Sequence, residues 1–340
     1  MATMQDVANM ARVSLSTVSY AISGSRPVSA ATRERIEEAM RQLDFRPNAI
    51  ARSLASRRSR ILALTFPAVE NRFGNTIMEF VSSAAAAARD SGYHLVVWPY
   101  AVDQADEMCD MSQQGLADGV IVMEVRVDDP RIEALSAARV PFTLIGRGRP
   151  DTDNRSVDID FDATAEAAVS HLTDLGHRQI GFLNHSESSR QHGYGPTVRA
   201  QDAYRAAMAR RGLAPFTRYC DENPLAGRAA MKAIREQNPA LTALVAMNED
   251  ALFGVVAELH REGVVVPDDF SLVSMLSSRP VAEMVDPVMT TLHSPGAELG
   301  RLRVRHLLHQ LDDFGEVFAP ALIPGRLELG ASTGPAPAAR

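Results

Sequence analysis

The sequence predicts a small all-α head joined to a larger, two-lobed α/β core with parallel sheets. Three observations predict it. Helix starts and helix-spaced apolar residues recur three times within residues 1–45. From Ile61 onward, apolar strand-like runs alternate with helical patterns across short connections, as in parallel sheets covered by helices. That alternation is too long for one small sheet. It therefore divides into two similar lobes, with a cleft at the carboxyl ends of the strands.

Each element has its own signal. Thr3 caps the first helix with Asp6 placed for a capping box, and Val7, Ala8 and Ala11 form the apolar face. Arg12-Val13 turns the chain. Ser14 caps a second helix, Leu15 to Ile22, with Val18 and Ile22 facing inward. Gly24 and Pro27 break it, and Ser29 caps a third helix carrying Ile36, Met40 and Leu43. Residues 1–46 form the head, and residues 47–60 a linker with a short helix from Ala49 to Ser56 capped by Asn48. Expected core strands are Ile61–Phe66, Tyr93–Pro99, Gly119–Met123, Phe142–Ile145, Ile180–Leu183, Ala243–Met247 and Ser271–Met275. Helices ending at Gly92, Gly176, Gly212 and Gly263 lie among them, and Gly296–Gln310 is a last long helix. The core spans 61–331. Residues 332–340, rich in Ala and Pro, read as a frayed tail.

Charge is unevenly distributed. The whole chain carries −7, yet residues 1–60 hold ten arginines against five carboxylates, a net +5. The remaining 280 residues carry 25 basic and 37 acidic groups, a net −12. A basic head on an acidic body confines any nucleic-acid footprint to the head. Cys109 and Cys220 match no metal or redox spacing. The first residues carry Gln5, Asp6 and Asn9 rather than a secretory apolar run, and no stretch approaches ~20 consecutive apolar residues. The expectation is a cytoplasmic protein with no membrane association.

The head then carries a specific pattern. Asp6-Val7-Ala8, Ala11, Val13-Ser14, Thr17-Val18-Ser19, Gly24, Val28-Ser29, Thr32-Arg33, Arg46-Pro47-Asn48 and Ala51-Arg52-Ser53-Leu54 resemble the start of the lactose-repressor (LacI/GalR) family, without gaps. Leu172–Leu183, Val264–Ser274, Thr290–Pro295 and Leu299–Leu308 extend the resemblance over nearly the whole chain. The resemblance implies a helix-turn-helix DNA-binding head, a hinge helix, and a core like a periplasmic binding protein. It also implies a homodimer on a near-palindromic double-stranded DNA operator, acting as a repressor under control of a small-molecule effector.

Within that frame, Leu15, Ser16, Thr17, Ser19 and Tyr20 form the exposed side of the second helix. Such a face fits a major groove. By resemblance, Leu15, Ser16 and Tyr20 sit where base preference is set, and Tyr20 replaces a common Arg. Thr3, Ser14, Ser29, Thr32 and Asn48 stand at helix starts, where free backbone N–H groups bind phosphate as well as being capped. Ala51, Arg52 and Leu54 belong to the hinge, with Leu54 as a minor-groove wedge.

Expected effector residues are Asn71, Phe73, Glu124, Arg147, Arg199, Glu249 and Met275. Aligning Tyr204 with the family's aromatic puts Ala200 at its Arg position, which turns Arg199 away by about 100°. Glu249 stands where the family has Asp. The strand ending at Met275 lacks the family's carboxylates, and Met275 and Leu276 add apolar surface there. Arg147 and Arg199 then suit an anionic group. The expected ligand is an anionic or partly apolar metabolite, with a sugar derivative as the alternative. Asp158, Asp160 and Asp162 alternate like a calcium loop but lack its Gly. His306 and His309 have no third ligand nearby, so no metal and no cofactor are expected. No catalytic fingerprint appears, so an enzyme is not expected. Two other readings remain: a ligand-insensitive DNA-binding protein with a vestigial core, and a transporter's solute-binding protein.

Overall fold

The computed structural model describes residues 2–23, 26–45, 58–66, 75–100, 104–149, 156–312 and 321–338. The head is three helices: α1 (Met4–Ala11), α2 (Leu15–Ser23) and α3 (Ala30–Gln42). Thr3 and Asp6 cap α1 reciprocally, in the capping box the sequence predicts. Arg12 closes that helix in the left-handed region at φ 52°, its N–H donating to the carbonyls of Ala8 and Asn9. Val7, Ala8, Ala11, Val18, Ala21, Ile36 and Ala39 make a buried core where the three helices meet. Arg33 of α3 donates to the Ala21 carbonyl at 3.2 Å and so caps the end of α2. These local bonds fix the angle at which α2 is presented.

The first lobe runs β1 (Ile61–Thr65), α4 (Asn75–Asp90), β2 (His94–Trp98), α5 (Ala105–Gln113), β3 (Gly119–Val122), α6 (Pro130–Ala137), β4 (Phe142–Ile145) and β5 (Ser156–Asp160). The second runs α7 (Phe161–Asp174), β6 (Ile180–Asn184), α8 (Glu187–Gln191), α9 (Gly195–Arg210), β7 (Phe216–Tyr219), α10 (Pro224–Gln237), β8 (Ala243–Ala246), α11 (Glu249–Arg261), β9 (Ser271–Ser277), α12 (Arg279–Ala282) and β10 (Thr290–His293). The chain then returns to the first lobe with α13 (Gly296–Leu311) and β11 (Ala321–Pro324), and β12 (Arg326–Glu328) joins the second. The first sheet has the order β11-β5-β4-β3-β1-β2 and is wholly parallel. The second has the matching order β12-β10-β9-β8-β6-β7, antiparallel only at β12.

The chain passes between lobes at Asp160–Phe161, at Ser294–Pro295 and at Gly325. Interior strands are apolar because helices cover both faces, as the cores around β1–β4 and around β6, β8 and β9 show. The tightest helix contact is α10 on α11. A Cβ on Gly254 would lie 1.8 Å from the Pro224 carbonyl oxygen, and one on Gly227 1.9 Å from that of Ala251. Only glycine lets these two backbones touch.

Several elements escaped the sequence reading. β5 and β7 mix polar with apolar residues, and β11 and β12 are short edge strands separated by one residue. The tail is a correction. Residues 332–336 are docked on the second lobe rather than frayed. Ser332 is fully buried and its hydroxyl donates to the Leu272 carbonyl at 2.6 Å. The Ala336 N–H donates to Leu175, and His177 bridges Thr242, Ser271 and Gly334. Composition alone misled, because small residues fit tightly between the starts of β9 and β10. Among the described residues, no helix is long and apolar enough to cross a membrane, and no cluster of His, Cys, Asp or Glu is arranged to hold a metal ion.

Candidate functional site

Two surfaces carry functional geometry. On the head, Leu15 and Ser16 are exposed at the start of α2, and Ser19 and Tyr20 are half-buried along it, while Val18 points into the core. Thr17 is drawn back. Its N–H is capped by the Ser14 hydroxyl at 3.1 Å and its own hydroxyl meets the same oxygen at 2.7 Å. The Arg26 guanidinium lies 5.1 Å from the centre of the Tyr20 ring. Ser29 caps α3 through the Thr32 N–H at 3.3 Å. Helix starts with polar caps therefore border an exposed, polar helix face, which suits phosphate positioning beside base reading.

The second surface is a cavity of about 390 Å³ between the lobes. Apolar walls come from both sides: Ile77, Phe80, Met123 and Ile145 from the first lobe, Met247 and Leu276 from the second. Glu124 follows β3 in the left-handed region at φ 53°, a costly conformation for a side chain with a Cβ. Buried Arg131 holds it there. That guanidinium pairs with Asp129 at 2.6 Å and donates to the carbonyls of Met123 and Glu124 at 3.1 and 3.0 Å. Burial pushes the Glu124 carboxyl up from its ordinary value, and a hydrogen bond from Tyr194 opposes that. On the facing lobe, β9 bulges. Met275 pairs with Leu292 and Ser277 with His293, so Leu276 is extruded at φ 61° and turned to the cavity.

Among the described residues, four sets of contacts cross the cleft. Glu249, at the start of α11, accepts from Thr76 of the first lobe at 2.5 Å and from Ser277 at 2.9 Å. Burial nevertheless raises its carboxyl, with these hydroxyls pulling the other way. Arg199 of α9 pairs with Asp158 of β5 at 3.1 Å, and Arg147 joins the same carboxylate at 3.2 Å. Tyr194 reaches Glu124, and burial and then that carboxylate push its phenol well up, so it serves as a donor. Finally, the backbone of residues 125–127 bonds to Gly193 and Gly195. Deeper in the second lobe, Glu222 meets His185 at 3.3 Å and the Ser186 N–H at 3.0 Å. Burial alone would raise the Glu222 carboxyl, but those bonds bring it down to about 2.

Known proteins carry the same two parts. Residues 3–48 match the model for bacterial regulatory proteins of the lacI family, and residues 169–333 match a periplasmic binding protein-like domain. The chain joins a lacI-family helix-turn-helix domain to a periplasmic binding protein-like domain. It is 26% identical to catabolite control protein A of Priestia megaterium over 97% of this chain and 99% of that protein. It is also 26% identical to the HTH-type transcriptional regulator AscG of Escherichia coli K12, over 96% and 97%. Its fold matches a lac repressor dimer bound to operator and the anti-inducer ONPF, with TM-score 0.82 at 24% identity over 98% of this chain and 99% of that one. A CelR–cellobiose complex matches with TM-score 0.69 at 26% identity, over 98% and 100%.

For this regulator the expected residues beyond the head fall into three groups. Glu124 and Glu249 do line the cavity, from opposite lobes. Asn48, Ala51, Arg52, Leu54, Asn71 and Phe73 lie outside the described residues. Met275, Arg147 and Arg199 are corrections. The bulge buries Met275 in the second-lobe core and presents Leu276 in its place. Both arginines are engaged by Asp158, and neither lines the cavity. The basis for an anionic ligand is thereby removed. Residues not anticipated are Thr76, Asp158, His185, Tyr194, Glu222 and Leu276. Of these, Asp158 had drawn notice only as part of a spurious calcium pattern, and Leu276 only as apolar surface beside Met275.

Proposed function

We propose that this regulator binds a near-palindromic operator in the cytoplasm as a homodimeric repressor, and that a small molecule in the interlobe cavity sets its affinity for DNA. The observation that carries the reading is the pairing, in one chain, of an exposed polar face on α2 with a cavity bridged by side chains of both lobes. Leu15, Ser16, Ser19 and Tyr20 read base edges, while Thr3, Ser14, Ser29 and Thr32 place helix starts against phosphates. A ligand that rewards or breaks the Thr76–Glu249 and Arg199–Asp158 contacts shifts the angle between lobes by its differential affinity for the two arrangements. The relatives' regulatory roles and the operator-bound dimer of the lac repressor support the same reading. A vestigial core does not account for a cavity held open by strained and buried groups.

Selection from a random duplex pool tests the first half. A near-palindromic site should emerge, with affinity falling steeply as salt rises because the arginine-rich head releases counterions. Equal affinity for random duplexes would overturn it.

A further inference from the structure

The cavity carries more negative charge than its described surroundings balance. Glu124, Asp158, Asp221, Glu222, Glu249 and Asp250 line it, and His185 is the one basic side chain among the described lining residues. Asp158 is matched by Arg199 and Arg147, and Glu222 by His185. Glu249 is different. Its partners are two hydroxyls, of Thr76 and Ser277, and the Ser278 backbone, with no cation among the described residues. Asp250 follows it in the first turn of α11. The helix dipole supplies only about half a positive charge there, against two carboxylates. Glu79 sits close by: burial raises its carboxyl, His293 opposes that and Glu249 adds to it, and one Glu79 oxygen is buried without a hydrogen-bond partner.

A second observation comes from the crossover at Ser294. This residue lines the cavity, is 2% exposed, and its hydroxyl has no hydrogen-bond partner. A buried hydroxyl left unsatisfied costs about 1–3 kcal/mol, so a ligand atom that meets it is favoured. Around these groups the wall is apolar, through Ile77, Phe80, Leu276 and Leu299.

We infer that the cavity takes a small organic cation, an ammonium or amidinium on an apolar body, with the charged end donating to Glu249 and the Ser294 hydroxyl. An ammonium offers three donors and satisfies both acceptors at once. Glu249 already ties the lobes through Thr76, so the cation sits where it can stabilise or release that tie. The inference rests on the proposed effector role of the cavity and names its ligand class.

Two matched sets of probes test it by thermal shift on the full-length protein. One is phenethylamine, phenethyl alcohol and phenylpropionate; the other is glucosamine, glucose and glucuronate. At least one amine should raise the melting temperature, with its neutral and acidic counterparts about tenfold weaker or worse, since tenfold corresponds to about 1.4 kcal/mol. Glu249→Gln should erase the preference, leaving amine and alcohol equal. Ser294→Ala, which leaves the carboxylate in place, should weaken the amine alone by about threefold or more. Equal or tighter binding of a neutral or acidic probe, absence of binding by both amines, or an unchanged preference in Glu249→Gln would each overturn the inference. Operator binding measured in parallel separates the two proposals. An amine that binds without altering DNA affinity supports the ligand class and breaks the switch, whereas a neutral sugar that releases DNA does the reverse.

Discussion

The face of α2 and the walls of the cavity do their work under opposite constraints. On the head, the side chains proposed to read bases are Leu15, Ser16, Ser19 and Tyr20, and the groups that hold the helix are others: Ser14 and Arg33 at its ends, Val18 and Ala21 beneath. In that proposal, base reading and folding are carried by separate side chains. In the cavity the same side chain does both. Glu249 ties the lobes and lines the cavity, and Asp158 anchors two arginines while lining the wall. Specificity on the head is therefore free to change without loss of stability, whereas a change of ligand in the cavity must also rebalance the contact between lobes.

The sharpest contrast comes from a position that supports the cavity without lining it. Gly254→Ala forces a Cβ into the backbone of α10, beneath the helix that starts with Glu249. Overpacking of this kind should cost about 3 kcal/mol, visible as a lowered denaturation midpoint with the helical head unaffected. A midpoint within error of the parent would mean that α10 and α11 separate easily.

Arg199→Met should cost nearly as much, about 3 kcal/mol at neutral pH, by leaving Asp158 buried with only Arg147 beside it. The loss should depend on pH. Burial already raises the Asp158 carboxyl, with Arg199 the larger opposing influence, so removing that arginine raises it further. A carboxyl that titrates higher when folded than when unfolded binds more protons in the folded state between those two values. Stability then falls as pH rises through that window. The gap in melting temperature between variant and parent should accordingly narrow as pH falls from about 7 towards 5, approaching the ordinary carboxylate range. A gap that is constant with pH would break the assignment.

The smallest effect on stability should come from Tyr20→Arg. On the head face the melting temperature should move by less than about 0.5 kcal/mol equivalent. Base preference in one half-site should nevertheless shift towards guanine, by about 1–3 kcal/mol. Identical motifs selected by both proteins would place Tyr20 against phosphate or solvent instead.

This same contrast governs how much was legible in the sequence. The caps at Thr3, Ser14 and Ser29 are local, three residues from the N–H groups they satisfy, and a linear pattern finds them. The lobes and their parallel strands follow from periodicity. The cavity is built from residues brought together by the fold. Asp158 and Arg199 are paired across forty-one positions, and nothing near either one predicts that Arg199 is already occupied. A single extruded residue in β9 exchanges Met275 for Leu276, which no alternation rule anticipates. His185, Tyr194 and Glu222 come from connections without periodicity, and only their meeting at the cavity in the folded chain marks them.

The return of the chain to its first lobe has a consequence for how the protein is made. The strands β1 to β5 are complete by Asp160, yet Leu62, Leu64 and Phe80 share a core with Leu299, Val304 and Leu307 of α13. A chain leaving the ribosome must hold that apolar surface uncovered while more than a hundred further residues are synthesised. The second lobe, begun later, has its five parallel strands in hand at His293 and can settle first. The first lobe thus stays open longest, and a chain released after residue 294 would expose its uncovered core while the second lobe would lack only β12 and the docked residues 332–336.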